Sequence, residues 1–235
     1  MDLFFGEKSS ESAKKTYIDG DIVNIKKEFT LGEWNTFHYL SDPKRMAFIF
    51  SRYKFVAKMF EGLSRVFEIG CQEGLGSLVV AKSVGHLTAT DFYKPHIETC
   101  LKMASDFQLN IDFRGHDIID GPIQENFDGA FSLDVFEHID PSQEMIFMQN
   151  IAASLSKTGV FILGTPSLES QKYASEGSKI GHINCKSGGE LRSICRQYYQ
   201  NVFMFGMNDE VVHTGFLPMA HYLLALCVGP KDRMI

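Results

Sequence analysis

Acidic residues stand at or just after the ends of four short apolar stretches of this sequence. They are Glu68, Asp91, Asp117 and Asp134. A carboxylate accepts hydrogen bonds from the hydroxyl groups of a ligand. Asp91 lies 21 residues after Gly70, close to the spacing of about 20 residues at which an acid binds a ribose in nucleotide-binding folds. The four acids therefore predict a site for a ligand that contains a ribose.

A glycine-rich turn follows the first of these acids. Residues 66–69 are typical of a short strand, glycines stand at 70, 74 and 76, and a helical pattern begins after them. Glycine lets the backbone pass close to a bound molecule, and the N-terminus of the next helix offers unpaired N–H groups. We therefore expect the ligand at this turn. Cys71 is interpreted as a small residue that fits the turn rather than as a nucleophile.

The spacing of the glycines distinguishes two kinds of cofactor. A dinucleotide fingerprint would need a glycine where Gln72 stands. The pattern from Glu68 to Gly76 is Glu-x-Gly-x-x-x-Gly-x-Gly, which resembles the first motif of the class I S-adenosylmethionine-dependent methyltransferases. In that family the usual form is acid-x-Gly-x-Gly-x-Gly, so Gln72 departs from it at the middle glycine.

The resemblance covers about residues 62–228 and implies S-adenosyl-L-methionine as the cofactor. It implies that Asp91 binds the ribose hydroxyls and that Asp117 faces the adenine amino group. An ordinary turn aspartate is the alternative for Asp117. The residues expected to contact the cofactor are Glu68, Gly70, Cys71, Gly74, Gly76, Asp91, Phe92, Asp117, Ile118, Leu133 and Asp134.

Three histidines are candidates for a general base. Methyl transfer from a sulfonium is an in-line displacement, so a hydroxyl acceptor must be aligned and must lose its proton. His138 is the first candidate because it follows the fourth strand, where acceptor and methyl group meet in the resembling family. His182, in the loop after the fifth strand, is the second, and His38, in an aromatic segment that could cover the site, is the third. The alternative for His138 is a hydrogen bond to loop backbone.

The residues around His138 have a second possible meaning. Asp134, Glu137 and His138 match the Glu-x-x-Glu-His motif of the ubiquinone-biosynthesis O-methyltransferases, in which two acids and a histidine can bind a divalent metal. Aspartate replaces the first glutamate and has a shorter reach. The preferred interpretation is that no metal is bound, with these three residues as the candidates if one is.

Composition limits the class of partner. The net charge of −6 argues against nucleic acid as a partner, and no apolar stretch reaches the roughly 20 residues that span a membrane. The five cysteines include no Cys-x-x-Cys pair, which suits a reducing compartment, and we expect a cytoplasmic protein. If the acceptor is anionic, Arg45, Arg52 and Lys172 could bind it, although a solvated surface is the default explanation for each.

The order of elements predicts the fold class. Strands alternate with helices through residue 166, which predicts an α/β, Rossmann-like three-layer sandwich. The resemblance implies a mostly parallel, seven-stranded sheet with an antiparallel last strand. We expect residues 1–61 to form an N-terminal segment and helical lid, and residues 62–235 to form the cofactor-binding domain. Residues 167–184 are typical of a long loop over the site.

The sequence therefore predicts methyl transfer from S-adenosylmethionine to a hydroxyl oxygen of a small-molecule or nucleotide- or sugar-linked acceptor, with a histidine as base. N-methylation is one alternative, because it needs no strong base. A non-catalytic regulatory protein that binds the cofactor is another, and a nicotinamide-dependent dehydrogenase is a distant third. The oligomeric state is expected to be a monomer or a homodimer.

Overall fold

The computed structural model of the protein describes residue 15 and residues 28–232. Contacts divide the chain into Met1–Thr30 and Leu31–Ile235, and the sheet with its helices belongs to the second unit. Of the expected N-terminal segment 1–61, residues 1–14 and 16–27 lie outside the described residues. The helices of residues 33–59 fall in the same unit as the sheet.

Eight strands form one sheet. Their bounds are β1 Arg65–Ile69, β2 His86–Asp91, β3 Ile111–Gly115, β4 Phe127–Leu133, β5 Leu155–Pro166, β6 Tyr199–Asn208, β7 Val211–His213 and β8 Tyr222–Pro230. The spatial order is β3-β2-β1-β4-β5-β8-β6-β7. The first five strands are parallel, and β8 runs antiparallel between β5 and β6.

Seven α-helices lie in the described part of the chain. They are α1 Glu33–Ser41, α2 Lys44–Met59, α3 Ser77–Ala81, α4 Lys94–Phe107, α5 Glu144–Ser154, α6 Glu176–Gly181 and α7 Gly188–Tyr198. Short 3-10 helices at Phe136–His138, Pro141–Gln143, Leu168–Tyr173 and Leu217–Met219 complete the loops. Pro43 stands at the N-cap of α2, where its missing N–H costs nothing.

The sheet separates two apolar layers, as expected for a three-layer sandwich. Val66 packs in the layer that includes Tyr53 and Phe60 of the α2 side, whereas its neighbour Phe67 packs with Phe147 of α5. Successive side chains of a strand point to opposite faces, so β1 contributes to both layers and is buried on both sides.

The expectation of seven strands was wrong, since the sheet has an eighth, β7. This three-residue strand pairs antiparallel with the end of β6 through a turn in which Asp209 has a φ of 50°. Val211–His213 is too short to show an alternating pattern, so the sequence carries little signal for it.

Two loops are also more structured than the sequence indicates. The predicted long loop 167–184 contains the 3-10 helix Leu168–Tyr173 and helix α6, both started by serine side chains that accept a backbone hydrogen bond. Residues 156–159, a second polar stretch, lie inside β5, which begins at Leu155 directly after α5. Among the described residues, every helix is too short or too polar to cross a lipid bilayer.

Candidate active site

The glycine turn after β1 depends on backbone conformations that glycine favours. Gly70 has a φ of 79°, and a Cβ there would lie 2.3 Å from Cγ2 of Val135. Gly74 has a φ of 75°, and a Cβ there would lie 2.9 Å from the Phe113 ring. Gln72, where the family pattern has glycine, also takes a left-handed φ of 52°. The turn therefore keeps its left-handed shape despite the substitution.

The carboxylate of Asp91, at the end of β2, links the glycine turn to β2 through a hydrogen bond. One oxygen accepts a hydrogen bond from the Gln72 N–H at 2.9 Å, and the other accepts one from the Tyr93 N–H at 2.8 Å. The Nδ1 atom of His96 lies 3.6 Å away. Two carboxylate oxygens offer about four acceptor positions, so Asp91 retains capacity to accept ligand hydroxyls.

An open pocket of about 760 Å³ lies beside Asp91. Gln72, Tyr93 and His96, the three residues that approach the Asp91 carboxylate, all line it. Its other walls come from the start of α1, from the glycine turn and from α4, through Gly32, Glu33, Trp34, Glu73, Pro95, Glu98, Thr99 and Lys102.

Glu68 lies beneath the turn and is fully buried. Its carboxylate accepts hydrogen bonds from the Tyr53 hydroxyl at 2.9 Å and from the Ser77 hydroxyl at 2.6 Å. Burial raises the pKa of Glu68 to about 7 and outweighs these two hydrogen bonds, while the nearby charge of Asp91 acts in the same direction as burial. Glu68 therefore braces the turn from inside. The position of Ser77 at the start of the following helix is a sequence signal for its contact with Glu68, whereas the sequence carries no signal for the contact of Tyr53.

Cys71 is buried in the same turn. Its thiol contacts Cys100, and this contact together with burial raises the pKa of the Cys71 thiol well above its ordinary value. A buried thiol with a raised pKa is a poor nucleophile.

Asp117, expected to face the adenine, and Ile118 and Phe92, expected to contact the cofactor, lie in different environments. Asp117 follows β3, and its carboxylate accepts a hydrogen bond from the Ile119 N–H at 2.9 Å, as a turn aspartate does. Ile118 is buried, whereas Phe92 is exposed beside Asp91. An exposed aromatic ring next to Asp91 offers a face on which a base can stack.

Asp134, at the end of β4 after the buried Leu133, is held by an arginine of α2. Nη1 of Arg52 lies 2.8 and 2.7 Å from the two carboxylate oxygens, and the guanidinium carbon lies 3.9 Å above the Tyr222 ring. Asp134 has a φ of 57°, and its N–H donates to the Gly164 carbonyl. The arginine that the sequence offered for an anionic acceptor is therefore engaged by an acid of the protein.

His138 and His182 meet beyond the ends of β4 and β5. Their ring centroids are 5.2 Å apart, with the rings at 68°. Nδ1 of His138 lies 2.8 Å from the Gly181 carbonyl oxygen, and Nδ1 of His182 lies 2.9 Å from Oε1 of Gln171. Burial lowers the pKa of His182, with the neighbouring His138 as the second cause. The second candidate base thus lies next to the first.

The third histidine, His38, lies on α1. Its ring packs edge-on against Trp34, and partial burial lowers its pKa, as does the positive charge of Arg45. The same Arg45 charge also lowers the pKa of His182. Lys172, the remaining candidate for an anionic acceptor, lies 4.8 Å from the Tyr173 ring centroid.

Three ligand-type atoms of Glu137, His138 and His182 lie within 4.8 Å of one another. Glu137 is buried and accepts a hydrogen bond from the Thr165 hydroxyl, and burial raises its pKa to about 8, with the charge of Asp134 the next cause. The group differs from the metal set suggested by the sequence, because His182 takes the place of Asp134. Its donor types suit a divalent transition metal.

Comparison with known proteins shows which proteins this part of the chain resembles. Residues 66–159 match the Methyltransferase domain family. The chain is 30% identical over 118 residues to a ubiquinone biosynthesis O-methyltransferase of Maricaulis maris, a match that covers 49% of this chain and 45% of that protein. A second such enzyme, from Rickettsia bellii, is 24% identical over 142 residues, which cover 60% of this chain and 58% of that protein. The chain thus spans about half the length of these relatives.

A solved structure agrees in fold. The Burkholderia thailandensis 1,6-didemethyltoxoflavin-N1-methyltransferase, solved with S-adenosylhomocysteine, superposes with a TM-score of 0.62 at 15% identity, covering 98% of this chain and 94% of its own. At that identity the likeness concerns the fold alone. The sequence match over residues 66–159, the glycine turn and the strand order together make this part of the chain similar to the class I S-adenosylmethionine-dependent methyltransferases.

Proposed function

We propose that the protein transfers the methyl group of S-adenosylmethionine to a hydroxyl oxygen of a small-molecule acceptor, with His138 as the general base. The observation that carries the assignment is the contact between His138 Nδ1 and the Gly181 carbonyl oxygen. A carbonyl oxygen only accepts, so Nδ1 carries the hydrogen of the neutral ring and Nε2 is left with its lone pair. His138 is exposed, and its Nε2 is the atom that can take the proton of a hydroxyl.

The cofactor fits the residues present. Asp91 retains acceptor capacity beside the pocket, and the left-handed turn brings backbone close to it. Bound there, S-adenosylmethionine supplies an electrophilic methyl group on a sulfonium. The residues of the chain then bind the ribose at Asp91, orient the acceptor between β4 and α6, and receive its proton at His138. His182, whose Nδ1 is engaged by Gln171, is positioned to assist.

The names of the curated relatives support a hydroxyl acceptor, since both are O-methyltransferases. The solved neighbour is an N-methyltransferase, which supports the alternative only through the fold. A neutral amine attacks a sulfonium without a base, so the two acceptors differ in their need for His138. The cytoplasm remains our proposed location, supported by five unpaired cysteines.

The test uses methyl-labelled S-adenosylmethionine with a panel of phenols and sugars and with their amine counterparts. We expect turnover on a hydroxyl acceptor, and His138→Asn should lower kcat/KM about 100-fold or more while calorimetry finds unchanged affinity for S-adenosylhomocysteine. His86→Asn is the matched control and should leave turnover intact, because His86 is the first residue of β2 and lies at the end of the strand opposite Asp91.

Other results would change the assignment. Full activity of His138→Asn would remove the base, and turnover of amines alone would favour N-methylation. Tight binding of S-adenosylhomocysteine without turnover of any acceptor would favour the non-catalytic alternative.

A further inference from the structure

Glu73 lies in the glycine turn yet makes its contacts with α1. Its carboxylate accepts hydrogen bonds from the Trp34 N–H at 2.9 Å, the Asn35 N–H at 2.9 Å and the Asn35 side-chain amide at 2.8 Å. It is only 4% exposed. A buried carboxylate with three donors is a fixed contact, because losing it would leave buried polar groups unpaired.

The start of α1 is shaped to receive this carboxylate. Gly32, at the N-cap, has no side chain with which to cap the helix, and its φ is 83°. A Cβ at Gly32 would lie 2.5 Å from the carboxyl carbon of Glu73. The capping role that a local serine or aspartate usually fills is therefore taken by an acid 38 residues away from Asn35, and the positive end of the helix favours its charge.

The remaining attachment of α1 is slight. Asn35 is its buried residue, whereas Trp34, Phe37 and Leu40 are 50%, 61% and 77% exposed. Helix stability within proteins comes mainly from burial of an apolar face, and α1 buries little of one. The position of α1 should therefore depend strongly on Glu73.

This position matters for the pocket beside Asp91. Gly32 and Trp34 form one wall of it, and Gln72, which precedes Glu73, donates its N–H to Asp91. The glycine turn therefore contacts Asp91 through Gln72, and it contacts α1 through the next residue, Glu73.

We propose that Glu73 is a positioning residue that fixes α1, and with it Trp34, as a wall of the cofactor pocket. This role rests on the proposed cofactor site beside Asp91. Loss of the Glu73 carboxylate lets α1 move away, and the cofactor then leaves faster because one wall is gone.

The chain contains a single tryptophan, Trp34, so its fluorescence reports the position of α1 directly. The experiment compares the wild type with Glu73→Gln, Asn35→Ala and the double variant. Glu61→Gln, which makes the same chemical change at the exposed end of α2, is the control. Acrylamide quenching of Trp34 is measured without ligand, and affinity for S-adenosylhomocysteine is measured by calorimetry.

In Glu73→Gln an amide N–H₂ faces backbone N–H groups, so we expect more quenching of Trp34 without ligand and a dissociation constant about tenfold higher. Asn35→Ala should act in the same direction although the turn is unchanged, and the double variant should fall short of the sum of the two because both remove one contact. Glu61→Gln should match the wild type.

Unchanged quenching in Glu73→Gln, with or without weaker binding, would overturn the proposal, since it would mean that α1 has not moved. Full additivity of the two variants would also overturn it. Failure of the wild type to bind S-adenosylhomocysteine would instead refute the proposed function, and the quenching without ligand would still test the contact between Glu73 and α1.

Discussion

Arg52 and Asp134 are joined across 82 residues of chain by one guanidinium nitrogen that lies within 2.8 Å of both carboxylate oxygens. The pair links α2 to the end of β4, where the acceptor is expected, and its side chains are 19% and 36% exposed. The pair is therefore intermediate between buried ion pairs and surface ion pairs, which differ greatly in the stability lost when one partner is removed.

We expect Arg52→Met to lower the free energy of unfolding by about 2 kcal/mol, because a partly buried carboxylate would lose its partner. Urea denaturation measures the change. Lys58→Met is the control, since its partner Glu61 and Lys58 itself are both well exposed, and it should cost less than about 0.5 kcal/mol. Equal losses of unfolding free energy in the two variants would mean that the Arg52–Asp134 pair stabilises the fold no more than an exposed pair does.

The buried Glu68 predicts a stability that depends on pH. Its folded pKa of about 7 lies above the ordinary 4.5, so the folded state keeps a proton that the unfolded state loses between these values. The free energy of unfolding should therefore fall as pH rises from 4.5 to 7, by about 3 kcal/mol in total from this group. Below pH 4.5 and above pH 7 its contribution is constant.

Glu68→Gln isolates this contribution from that of Glu137, whose raised pKa acts in the same sense. Thermal or urea unfolding measured from pH 5 to pH 8 should show a smaller decline in the variant than in the wild type. An equal decline of stability with pH in Glu68→Gln and in the wild type would contradict the assignment of this effect to Glu68.

Gly70 should tolerate no larger residue. Gly70→Ala combines a left-handed φ with a Cβ that would lie 2.3 Å from Cγ2 of Val135, and we expect a loss of about 3 kcal/mol in unfolding free energy. Gly62→Ala has a similar φ of 85° but nothing within 4 Å of the new Cβ, so it should cost only about 1 kcal/mol. Similar losses in both would show that the Val135 contact relaxes freely. Adding Val135→Ala to Gly70→Ala should recover part of the loss.

Turnover should not depend on a metal. Burial raises the pKa of Glu137 to about 8, so a metal ion would have to displace a proton from this acid in order to bind. A protonated acid is a poor metal ligand. Dialysis against EDTA should leave the rate on a hydroxyl acceptor within about twofold, where a metal that activates the acceptor would be worth far more. A rate that is lost and then restored by magnesium or zinc would contradict this.

Local patterns predicted the parallel half of the fold well. The sequence around His86–Asp91 indicates the bounds of β2, because an apolar run that ends in an acid is followed there by a helix with a proline in its first turn. The placement of Glu68, Asp91 and Asp134 at or just beyond strand ends follows from the same alternation.

Contacts between distant parts of the chain were the part that sequence could not supply. Tyr53 reaches Glu68 across 15 residues and Glu73 reaches Asn35 across 38, and neither spacing belongs to a known motif. His182 comes beside His138 only because α6 folds back onto the end of β4. Such pairings depend on how the elements pack, which no local pattern encodes.

The place of β8 has a consequence for the way the protein is made. This strand, the last in the described chain, lies between β5 and β6. During synthesis β6 leaves the ribosome earlier than β8. It cannot yet pair with the parallel strands, because in the folded sheet β8 pairs with the edge of β5 and β6 pairs with β8. Tyr199–His213 therefore stays unpaired with the parallel strands until Tyr222–Pro230 has emerged. During that interval these residues can form wrong pairings or bind chaperones.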